Sequence, residues 1–359
     1  MGIAGEVVPG TQKRPKEPST PQTVDVISGP VRLAPSDTQT IAGACAAGQR
    51  GYPRSPVEGR EVIHENHHSV EVAWTTGTTG TTARARCYAR AVRIATWNVN
   101  SLKARIGRVE EWLAAAQPDV MLMQETKLAD EMAPLLPFRA AGYDLVHHGE
   151  GRWNGVAVAS RIGAEEVVSN FGDGPVRSGA TADDEPAREA RMLAVDCGML
   201  RVVSLYAPNG RFVGSEAYEQ KLQWFDRLAR WLEEACDPGS DILIGGDLNV
   251  APTDLDVWDP LAVHGGTHVS ESERAAFRRL LDWGLVDAFR IHHAEGGRYS
   301  WWDYRAGNFH KGMGMRIDHL LLSRSLAARC VAAEIDRDAR KGKLPSDHAP
   351  FYIDLSETG

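Results

Sequence analysis

Two polar residues, Asp247 and Asn249, follow directly after a short apolar run in the second half of the chain. The run at residues 242–244 is Ile-Leu-Ile, which is typical of a strand buried on both faces. Gly245 and Gly246 then allow the backbone to turn or to approach a ligand closely. Because residues two apart on an extended backbone point the same way, the carboxylate and the carboxamide share one direction. Such a pair suits a tight turn as well as a catalytic site, and this stretch alone leaves both interpretations open.

Other predicted strands also end in residues that could take part in catalysis. These groups are Asn98 and Asn100, Gln124 and Glu125, Tyr206 and Asn209, Asp318 and His319, and the C-terminal pair Asp347 and His348. Each alone has an ordinary explanation as a turn, a helix N-terminus or a core residue, but their recurrence at strand ends favours a shared site. Carboxylate and amide oxygens without thiolates suit Mg²⁺ or Mn²⁺. An acid beside such an ion can deprotonate water, and an imidazole can contact a phosphate oxygen, which is the chemistry of phosphoester hydrolysis.

Strands and helices that could position these groups alternate along residues 92–359. Apolar runs and helical periodicity predict strands at 92–98, 120–123, 144–147, 155–159, 191–195, 201–206, 242–244, 316–322 and 350–355, and helices at 103–117, 216–236 and 271–283. The first two strands and the helix between them form a β-α-β unit. The Gly-, Asp- and Pro-rich residues 172–188 are predicted to form a surface loop. The pattern predicts one α/β domain of stacked sheets with outer helices and leaves the strand order open.

Residues 1–91 differ from the rest of the chain in composition. They contain several prolines, the Thr/Gly repeat at 74–82, and ten Lys and Arg against eight Asp and Glu. This composition predicts a disordered or low-complexity extension before a catalytic domain at 92–359. Because the strand pattern starts abruptly at Val92, we also expect that synthesis begins at or near that residue, so that residues 1–91 are not translated. The intact mass of the native protein tests this expectation.

Composition and charge narrow the class of protein. The formal net charge of −8 disfavours a protein that coats nucleic acid through its overall charge, but it allows an enzyme with a local basic groove. The five cysteines form no Cys-x-x-Cys or Cys/His metal spacing, so we expect neither a disulfide framework nor a zinc site. No apolar run reaches the roughly 18 residues of a membrane span, and no secretory signal pattern is found. We therefore expect a reduced, cytoplasmic protein that does not bind membranes.

Several motifs together resemble the exonuclease III family of apurinic/apyrimidinic (AP) endonucleases, within the endonuclease/exonuclease/phosphatase superfamily. The motifs are Thr-Trp-Asn-Val-Asn-Ser at 96–101, Leu-Met-Gln-Glu-Thr-Lys at 122–127, Leu-Tyr-Ala-Pro-Asn-Gly at 205–210, Gly-Gly-Asp-Leu-Asn-Val-Ala-Pro-Thr-Asp at 245–254, Val-Trp-Asp at 257–259, Tyr-Ser-Trp-Trp-Asp-Tyr at 299–304, Met-Arg-Ile-Asp-His at 315–319 and Pro-Ser-Asp-His-Ala-Pro at 345–350. They occur in the family's order over residues 92–359. Two positions depart from the family pattern: Ala207 replaces a valine, and Leu344 separates Lys343 from the last motif.

The resemblance implies a fold and a metal site. The implied fold is a four-layer α/β sandwich of two packed mixed β-sheets with outer helices. The implied ion is Mg²⁺, with Mn²⁺ as an alternative, and its principal ligand is Glu125. The residues that the resemblance assigns to the metal site are Asn98, Glu125, Asp247, Asn249, Asp347 and His348.

The resemblance also implies five catalytic residues. Asp247 orients or deprotonates the attacking water, or protonates the leaving oxygen, and the resemblance leaves these roles open. Asn249 holds the scissile phosphate and its developing charge. Tyr206 and His348 also contact that phosphate, and Asp318 fixes the ring of His348.

Four further residues are implied to contact DNA. Asn209 touches the DNA backbone, and Trp301, Met315 and Ile317 line a small apolar pocket that accepts a bare sugar. Flipping an abasic nucleotide costs less than flipping a paired one, because it carries no base to unstack. Core packing is the alternative explanation for Ile317.

The resulting prediction is a Mg²⁺-dependent DNA repair nuclease, expected to be monomeric and associated with the nucleoid. It is expected to hydrolyse the phosphodiester 5′ to an abasic site in double-stranded DNA and to act at 3′ ends as a 3′–5′ exonuclease and end-cleaning enzyme. The nearest alternative is mainly a 3′–5′ exonuclease with weak AP endonuclease activity. More distant alternatives are a phosphatase or phosphodiesterase acting on lipid or sugar phosphates, and a non-enzymatic DNA-binding module.

Overall fold

Two six-stranded sheets carry the strand ends described above. The computed structural model describes residues 91–172 and 189–356, together with the backbone of three strands before residue 91. The strands are β1 (Val62–Asn66), β2 (Ser69–Thr75), β3 (Thr82–Tyr88), β4 (Val92–Asn98), β5 (Val120–Gln124), β6 (Asp144–His148), β7 (Val156–Ser160), β8 (Glu165–Ser169), β9 (Met192–Cys197), β10 (Leu200–Tyr206), β11 (Ile242–Asp247), β12 (Val286–Asp287), β13 (Asp318–Leu322), β14 (Cys330–Ile335) and β15 (Phe351–Leu355). The described α-helices are α1 (Leu102–Ala116), α2 (Leu135–Ala140), α3 (Glu216–Ala235), α4 (Glu271–Asp282), α5 (Ala288–His292), α6 (Asn308–Lys311) and α7 (Arg324–Ala327).

Each six-stranded sheet is mixed and has one parallel pair near its centre. The first sheet has the order β14-β15-β4-β5-β7-β6, and the second has the order β12-β13-β11-β10-β9-β8. Strands β4 and β5 are parallel, as are β10 and β11, and the other neighbours are antiparallel. Because parallel strands end at the same edge of a sheet, each pair brings two strand ends together.

The sheets and helices form four layers because the central strands are apolar on both faces. Ile94, Leu122 and Leu243 lie in the core cluster between the two sheets. The outer face of the second sheet packs against α3 and α4, and the outer face of the first sheet packs against α1. Full burial of one such aliphatic side chain contributes roughly 1.5–3 kcal/mol. The predicted four-layer α/β sandwich is therefore confirmed.

Side-chain caps determine where the three long helices begin. Ser101, Ser215 and Ser270 each accept a hydrogen bond from a backbone N–H in the first turn of α1, α3 and α4, respectively. Glu273 completes a capping box with Ser270. Each cap satisfies an N–H that has no partner within the helix and contributes about 1 kcal/mol. Among the described helices, none has the length and apolar character needed to cross a membrane.

The strands missed by the sequence prediction are peripheral. Strand β12 has only two residues, and β8 and β14 form edges of the two sheets. The first three residues of β8 are exposed, so its sequence lacks the apolar signal of a buried strand. Apart from Gly172, the predicted surface loop at 172–188 lies outside the described residues.

An antiparallel sheet of β1, β2 and β3 lies in the N-terminal segment, for which no regular structure was predicted. Val70, Val72 and Trp74 alternate along β2 with Glu71 and Ala73, which is a period of two that the prediction overlooked. The other residues before Ala91 lie outside the described part of the chain.

Candidate active site

The polar strand ends meet at one edge of the two sheets. Asn98 pairs with Gln124 at the end of the parallel β4–β5 pair. In the second sheet, Asp247 pairs with Tyr206 on one side and with Asp318 on the other. The two parallel pairs thus deliver their polar ends to a common place, as the sequence pattern indicated.

Asn98 joins the two sheets through its side-chain amide. Its Nδ2 donates to Glu125 Oε1 and to Asp247 Oδ2, each at 2.9 Å, and these acceptors belong to different sheets. Its Oδ1 accepts from the backbone N–H of Asn100 at 3.0 Å, which fixes the amide orientation. Asn98 therefore presents N–H groups, and not its oxygen, to the acids.

Three groups at this edge come close enough to share one ion. One ligand atom each from Glu125, Asp247 and His348 lies within 4.8 Å of the other two. The two carboxylates are hard oxygen donors, and the described part of the site contains no thiolate, so this acid cluster suits a divalent cation such as Mg²⁺. The residues present thus fit a metal ion.

His348 is held by Asp318. Its Nδ1–H donates to Asp318 Oδ2 at 2.8 Å, and its Nε2 lies 3.7 Å from Asp247 Oδ2. Burial lowers the pKa of His348, but Asp318 and Asp247 raise it more, to about 10. A ring protonated on both nitrogens donates hydrogen bonds and has no lone pair for a metal. The bond to Asp318 thus fixes the ring with its Nε2 toward the carboxylate of Asp247.

The two carboxylates of the cluster have opposite pKa shifts. Burial raises the pKa of Asp247 to about 7, because the added charges of Asp318 and Glu125 nearly offset the influence of His348 and Asn98. Burial also raises the pKa of Glu125, but Lys127 and Asn98 lower it more, so the net shift is downward. An ionised acid beside one that exchanges its proton near neutral pH is a pair suited to general acid–base chemistry.

Asn249 is held by contacts on its side chain and on both ends of its peptide unit. It has a left-handed φ of +52°. Its backbone N–H donates to Asp247 Oδ1 at 3.0 Å, and its Nδ2 donates to the carbonyl of Ala207 at 3.0 Å. Its Oδ1 accepts from Nδ2 of Asn209 at 3.3 Å, which brings that exposed residue to the rim of the site. Tight anchoring of this kind keeps a donor in place before a substrate binds.

A buried ion pair beneath Asn249 was missed by the sequence analysis. Lys221 Nζ and His268 Nδ1 donate to the carbonyl of Asn249 at 2.7 and 2.6 Å. Lys221 and Glu273 are fully buried and form an ion pair between α3 and α4. A lysine beside Tyr218 in the apolar stripe of a helix was the available signal, because a buried lysine requires a partner.

The phenol of Tyr206 lies against Glu125 and Arg191. It hydrogen-bonds to Glu125, and the guanidinium of Arg191 lies 4.7 Å from the centre of its ring. Burial, followed by the charge of Glu125, holds the pKa of Tyr206 well above its ordinary value. The hydroxyl therefore stays protonated and can act as a hydrogen-bond donor.

Asp347 lies apart from the three clustered groups, at the end of a chain of hydrogen bonds. Glu125 pairs with Lys127 at 2.8 Å, and Lys127 Nζ donates to Asn100 Oδ1 at 2.6 Å. Asn100 Nδ2 donates to Asp347 Oδ1 at 2.9 Å, and Trp301 Nε1 donates to Asp347 Oδ2 at 3.1 Å. Lys127 and Asn100 were in the motifs but received no role from the sequence.

Trp301, Met315 and Ile317 share one small apolar cluster. Trp301 and Met315 are partly buried, whereas Ile317 is only 2% exposed. Isolated β-bridges pair Trp301 with Met315 and with His348. These three residues, which the sequence analysis assigned to a small apolar pocket and which we call the apolar wall, therefore adjoin the backbone of His348.

Comparison with known proteins first defines the class. A family model described as Endonuclease/Exonuclease/phosphatase family matches residues 95–348, the region that contains both sheets and the edge site. The exodeoxyribonuclease III of Haemophilus influenzae is 35% identical over 281 residues, which cover 74% of this chain and 100% of that protein. The exodeoxyribonuclease of Bacillus subtilis is 31% identical over 265 residues, with coverage of 73% and 98%.

Solved structures agree with these relatives. An AP endonuclease from Archaeoglobus fulgidus has 35% identity and a TM-score of 0.68, covering 74% of this chain and 99% of its own. A 3′ phosphatase from Neisseria, bound to a product DNA hairpin, has 35% identity and a TM-score of 0.68, with coverage of 74% and 100%. The chain therefore belongs to the exonuclease III family of DNA repair nucleases, which are phosphodiester hydrolases.

Proposed function

We propose that this nuclease hydrolyses the DNA phosphodiester 5′ to an abasic site, depends on a divalent cation, and also removes nucleotides or blocking groups from 3′ ends. One observation carries the proposal: Trp301 of the apolar wall bridges to His348 of the acid cluster. A phosphate held at the cluster leaves the neighbouring sugar at the wall. The relatives named above as an exodeoxyribonuclease III and an AP endonuclease support the two activities.

Glu125 and Asp247 are the proposed ligands of the cation, which we take to be Mg²⁺ or Mn²⁺. A divalent cation supplies positive charge to a phosphate oxygen when it is bound. Asn98 supports both acids through its N–H groups. Because both oxygens of Asp347 accept hydrogen bonds from Asn100 and Trp301, we propose that it orients these two side chains.

The proposed reaction breaks the bond between phosphorus and O3′ of the preceding nucleotide. The oxygen of a water molecule forms the new bond to phosphorus, its proton leaves, and O3′ gains a proton to become the 3′-hydroxyl. Burial and the charges of Asp318 and Glu125 make the Asp247 carboxylate more basic than an ordinary aspartate, so it can serve as the base for the water or, once it carries a proton, as the acid for O3′.

Three donors face the phosphate in this proposal. His348, kept protonated by Asp318, and the neutral hydroxyl of Tyr206 donate to the non-bridging oxygens. The side chain of Asn249 holds the same phosphate, and Asn209 contacts the adjoining backbone. Donors fixed in advance stabilise the charge that develops in the transition state without reorganising.

The apolar wall of Trp301, Met315 and Ile317 selects the abasic sugar in this proposal. A sugar without a base needs little room, so a small apolar pocket accepts it and excludes a sugar that carries a base. Moving it out of the duplex requires no unstacking of a base.

The proposal is tested with the full chain and two matched duplexes, one carrying a single abasic analogue and one intact. We expect a nick 5′ to the analogue in the presence of Mg²⁺, none with a chelator, and no internal nick in the intact duplex. Shortening of 3′ ends without any nick at the analogue would favour the alternative of a 3′–5′ exonuclease. If both activities persisted in the presence of the chelator, the proposed metal dependence would be contradicted.

Replacing Trp301 with alanine tests the wall. We expect Trp301→Ala to slow cleavage at the abasic analogue by on the order of tenfold more than it slows 3′–5′ degradation, because only the first reaction depends on holding a flipped sugar. Both rates are measured on the same preparation, together with its melting temperature. Equal losses of both activities would indicate general damage and not a role in selection.

We further propose that the protein acts as a monomer in the cytoplasm, at the nucleoid. The bacterial exodeoxyribonuclease III relative supports this location. Light scattering of the full chain gives the mass in solution, and a dimer mass would contradict the first part.

A further inference from the structure

A cavity of about 300 Å³ lies next to the candidate active site. Its lining includes Tyr304, His310, Arg340, Lys341 and Pro345. The Tyr304 hydroxyl donates to the carbonyl of Pro345 at 2.8 Å, and Pro345 is two residues before Asp347. This Arg340 cavity thus borders the segment that leads to Asp347 and His348.

Arg340 is a buried cation that makes no direct ion pair with a carboxylate of the described residues; Asp347 acts on it only through its charge. The residue is only 6% exposed, its Nε has no hydrogen-bond partner, and its Nη2 reaches only the carbonyl of Trp302, at 3.4 Å. Within residues 91–172 and 189–356, no carboxylate lies at ion-pair distance from its guanidinium. The rings of Tyr304 and Phe309 lie beside the guanidinium, with their centres 4.9 and 5.2 Å from Cζ of Arg340. A buried, unpaired cation is costly, so an anion from outside the chain is the expected partner.

The acids near this cavity have other partners. Both oxygens of Asp347 accept hydrogen bonds from Asn100 and Trp301. Asp303 lines the cavity but binds Arg305 at 2.6 Å. Lys341 pairs with Asp338, also at 2.6 Å, and both side chains are more than half exposed. A surface pair of this kind contributes little, so the ammonium can turn to a second anion. Arg340 has no such alternative.

Two arginines of helix α1 extend the positive charge toward the active site. Arg105 donates to Tyr304 Oη at 3.1 Å and to the carbonyl of Pro345 at 3.4 Å. Arg108 donates to the carbonyls of Ala339 and Lys341 at 2.8 and 2.7 Å. A concentration of cations on a chain of net charge −8 marks a local anion-binding surface.

We propose that the Arg340 cavity binds one backbone phosphate of the DNA substrate, beside the nucleotides held at the acid cluster. This inference rests on the proposed nuclease function. The planar guanidinium can donate two parallel hydrogen bonds to a phosphodiester, and the Lys341 ammonium provides a further donor. Because it reads no base, the contact adds affinity and register without sequence preference.

The first experiment measures DNA binding without cleavage. Full-length wild type, Arg340→Met and Arg324→Met are titrated with an intact duplex in chelator at several salt concentrations. Methionine keeps much of the apolar contact with the rings, and Arg324 is an exposed arginine on α7 that serves as the matched control. We expect Arg340→Met to reduce the salt slope of log K by about 0.9, the value for one phosphate contact, and Arg324→Met to leave it unchanged. An unchanged slope in Arg340→Met would overturn the proposal.

The second experiment identifies the phosphate. Single phosphates of an abasic duplex are replaced in turn by uncharged methylphosphonate, and the affinity of wild type and Arg340→Met is compared at each position. At one position we expect wild type to lose roughly tenfold in affinity and Arg340→Met to lose almost nothing, because each change removes the same charged contact. Losses that are alike in both proteins at every position would make Arg340 a structural residue only.

Two further measurements keep the proposal open to refutation. If Arg340→Met does not fold, Lys341→Gln, which alters the cavity rim, is taken through the same scan, and the proposal requires coupling at the same phosphate. If inorganic phosphate raises the melting temperature of wild type but not of the variant, and no DNA position is coupled, the cavity is a free-anion site and the proposal fails. The intact-duplex slope does not depend on abasic cleavage, so failure of the nicking assay alone counts against the proposed function and not against this cavity.

Discussion

Two buried clusters of charged residues differ in how far their charges are balanced; one lies on the second sheet and its loops, and the other lies where the two sheets meet. In the first, Arg316 donates to Asp256 at 2.7 Å and to both oxygens of Asp287 at 2.8 and 3.1 Å. Arg290 makes a second ion pair with Asp256. Burial raises the pKa of Asp256, but the two arginines lower it more, so its net shift is downward. Two acids face two guanidinium groups, and the cluster is neutral.

The acid cluster at the sheet edge lacks this balance. Glu125, Asp247 and Asp318 lie around the imidazolium of His348, and Lys127 pairs with the outer side of Glu125. Asp318 Oδ1 is buried without a hydrogen-bond partner, and the pKa of Asp247 is raised to about 7. The Arg316 cluster is complete by itself, whereas in the proposed function a cation and a phosphate from outside complete the acid cluster. Buried charge that the chain leaves unneutralised is thus a sign of function, and buried charge that is balanced is a sign of structure.

Matched Asp→Asn substitutions, one in each cluster, test this difference between the clusters most directly. The larger effect is expected for Asp247→Asn. Asp247→Asn should lower the rate of cleavage at an abasic analogue by about 10²–10⁴-fold, as loss of a general acid or base does. DNA affinity and melting temperature should stay near wild type or rise, because one of several crowded negative charges is removed. Single-turnover cleavage, binding anisotropy and thermal denaturation measure the three quantities. Turnover near the wild-type rate would mean that Asp247 has no role in proton transfer.

Asp256→Asn is the counterpart in the balanced cluster. It leaves the buried guanidinium of Arg316 with one acid fewer, and we expect the free energy of unfolding to fall by about 3–5 kcal/mol. The protein that remains folded should cleave DNA at close to the wild-type rate. Urea denaturation followed by fluorescence gives the stability. If Asp256→Asn were as stable as wild type, the assignment of a structural role to this cluster would be wrong.

Addition of a divalent cation sharpens the contrast without measuring activity. Because a ligand that binds only the folded state stabilises it, Mg²⁺ at about 100 times its dissociation constant should add about 2.7 kcal/mol to the free energy of unfolding and raise the melting temperature. Glu125→Gln should reduce this increase, whereas Asp256→Asn should retain it. An increase that is equal in wild type and Glu125→Gln would place the cation elsewhere.

The smallest expected effect concerns His319, which joins the Arg316 cluster as a neutral ring. Its Nε2–H donates to the carbonyl of Val250 at 2.9 Å, and its Nδ1 accepts from Arg316 at 3.1 Å. Burial, followed by the charge of Arg316, lowers the pKa of His319 to about 4. Between pH 6.5 and 4 the unfolded chain therefore binds a proton that the folded chain does not. The free energy of unfolding therefore decreases as the pH is lowered, by up to about 1.4 kcal/mol per pH unit.

His319→Gln isolates this contribution, because glutamine offers both a donor and an acceptor but no titrating group. We expect a shallower loss of stability below pH 6.5, measured by urea denaturation across the acid range. A slope identical to that of wild type would show that the ring is not neutral in the folded state. The pKa of buried His268 is also lowered to about 4, so His268 contributes to the pH dependence of stability in both wild type and His319→Gln.

Much of the fold and of the candidate site could be predicted because the signals are local. Apolar runs marked the central strands, and serines at 101, 215 and 270 precede the periodic segments that form the long helices. The residues predicted at the strand ends do converge, since parallel neighbours end at one edge. Edge strands β8 and β14 escaped prediction because one exposed face removes the apolar pattern. Strands β1 to β3 were not predicted, because the low-complexity composition of residues 1–91 was given more weight than the weak two-residue periodicity of β2.

By itself, the sequence determined the class of fold, the family, and the acids, amides and imidazole that the edge site could use. Only the tertiary structure decided which of them touch. Asn98 donates hydrogen bonds to two acids that lie 27 and 149 residues away in the sequence. Asp347 accepts hydrogen bonds from Asn100 and Trp301, and Lys221 donates to the carbonyl of Asn249. The physical reason is that motifs and periodicity arise from neighbours along the chain, whereas the sharing of a proton or an ion depends on distances of a few ångströms between segments that meet only when the two sheets pack.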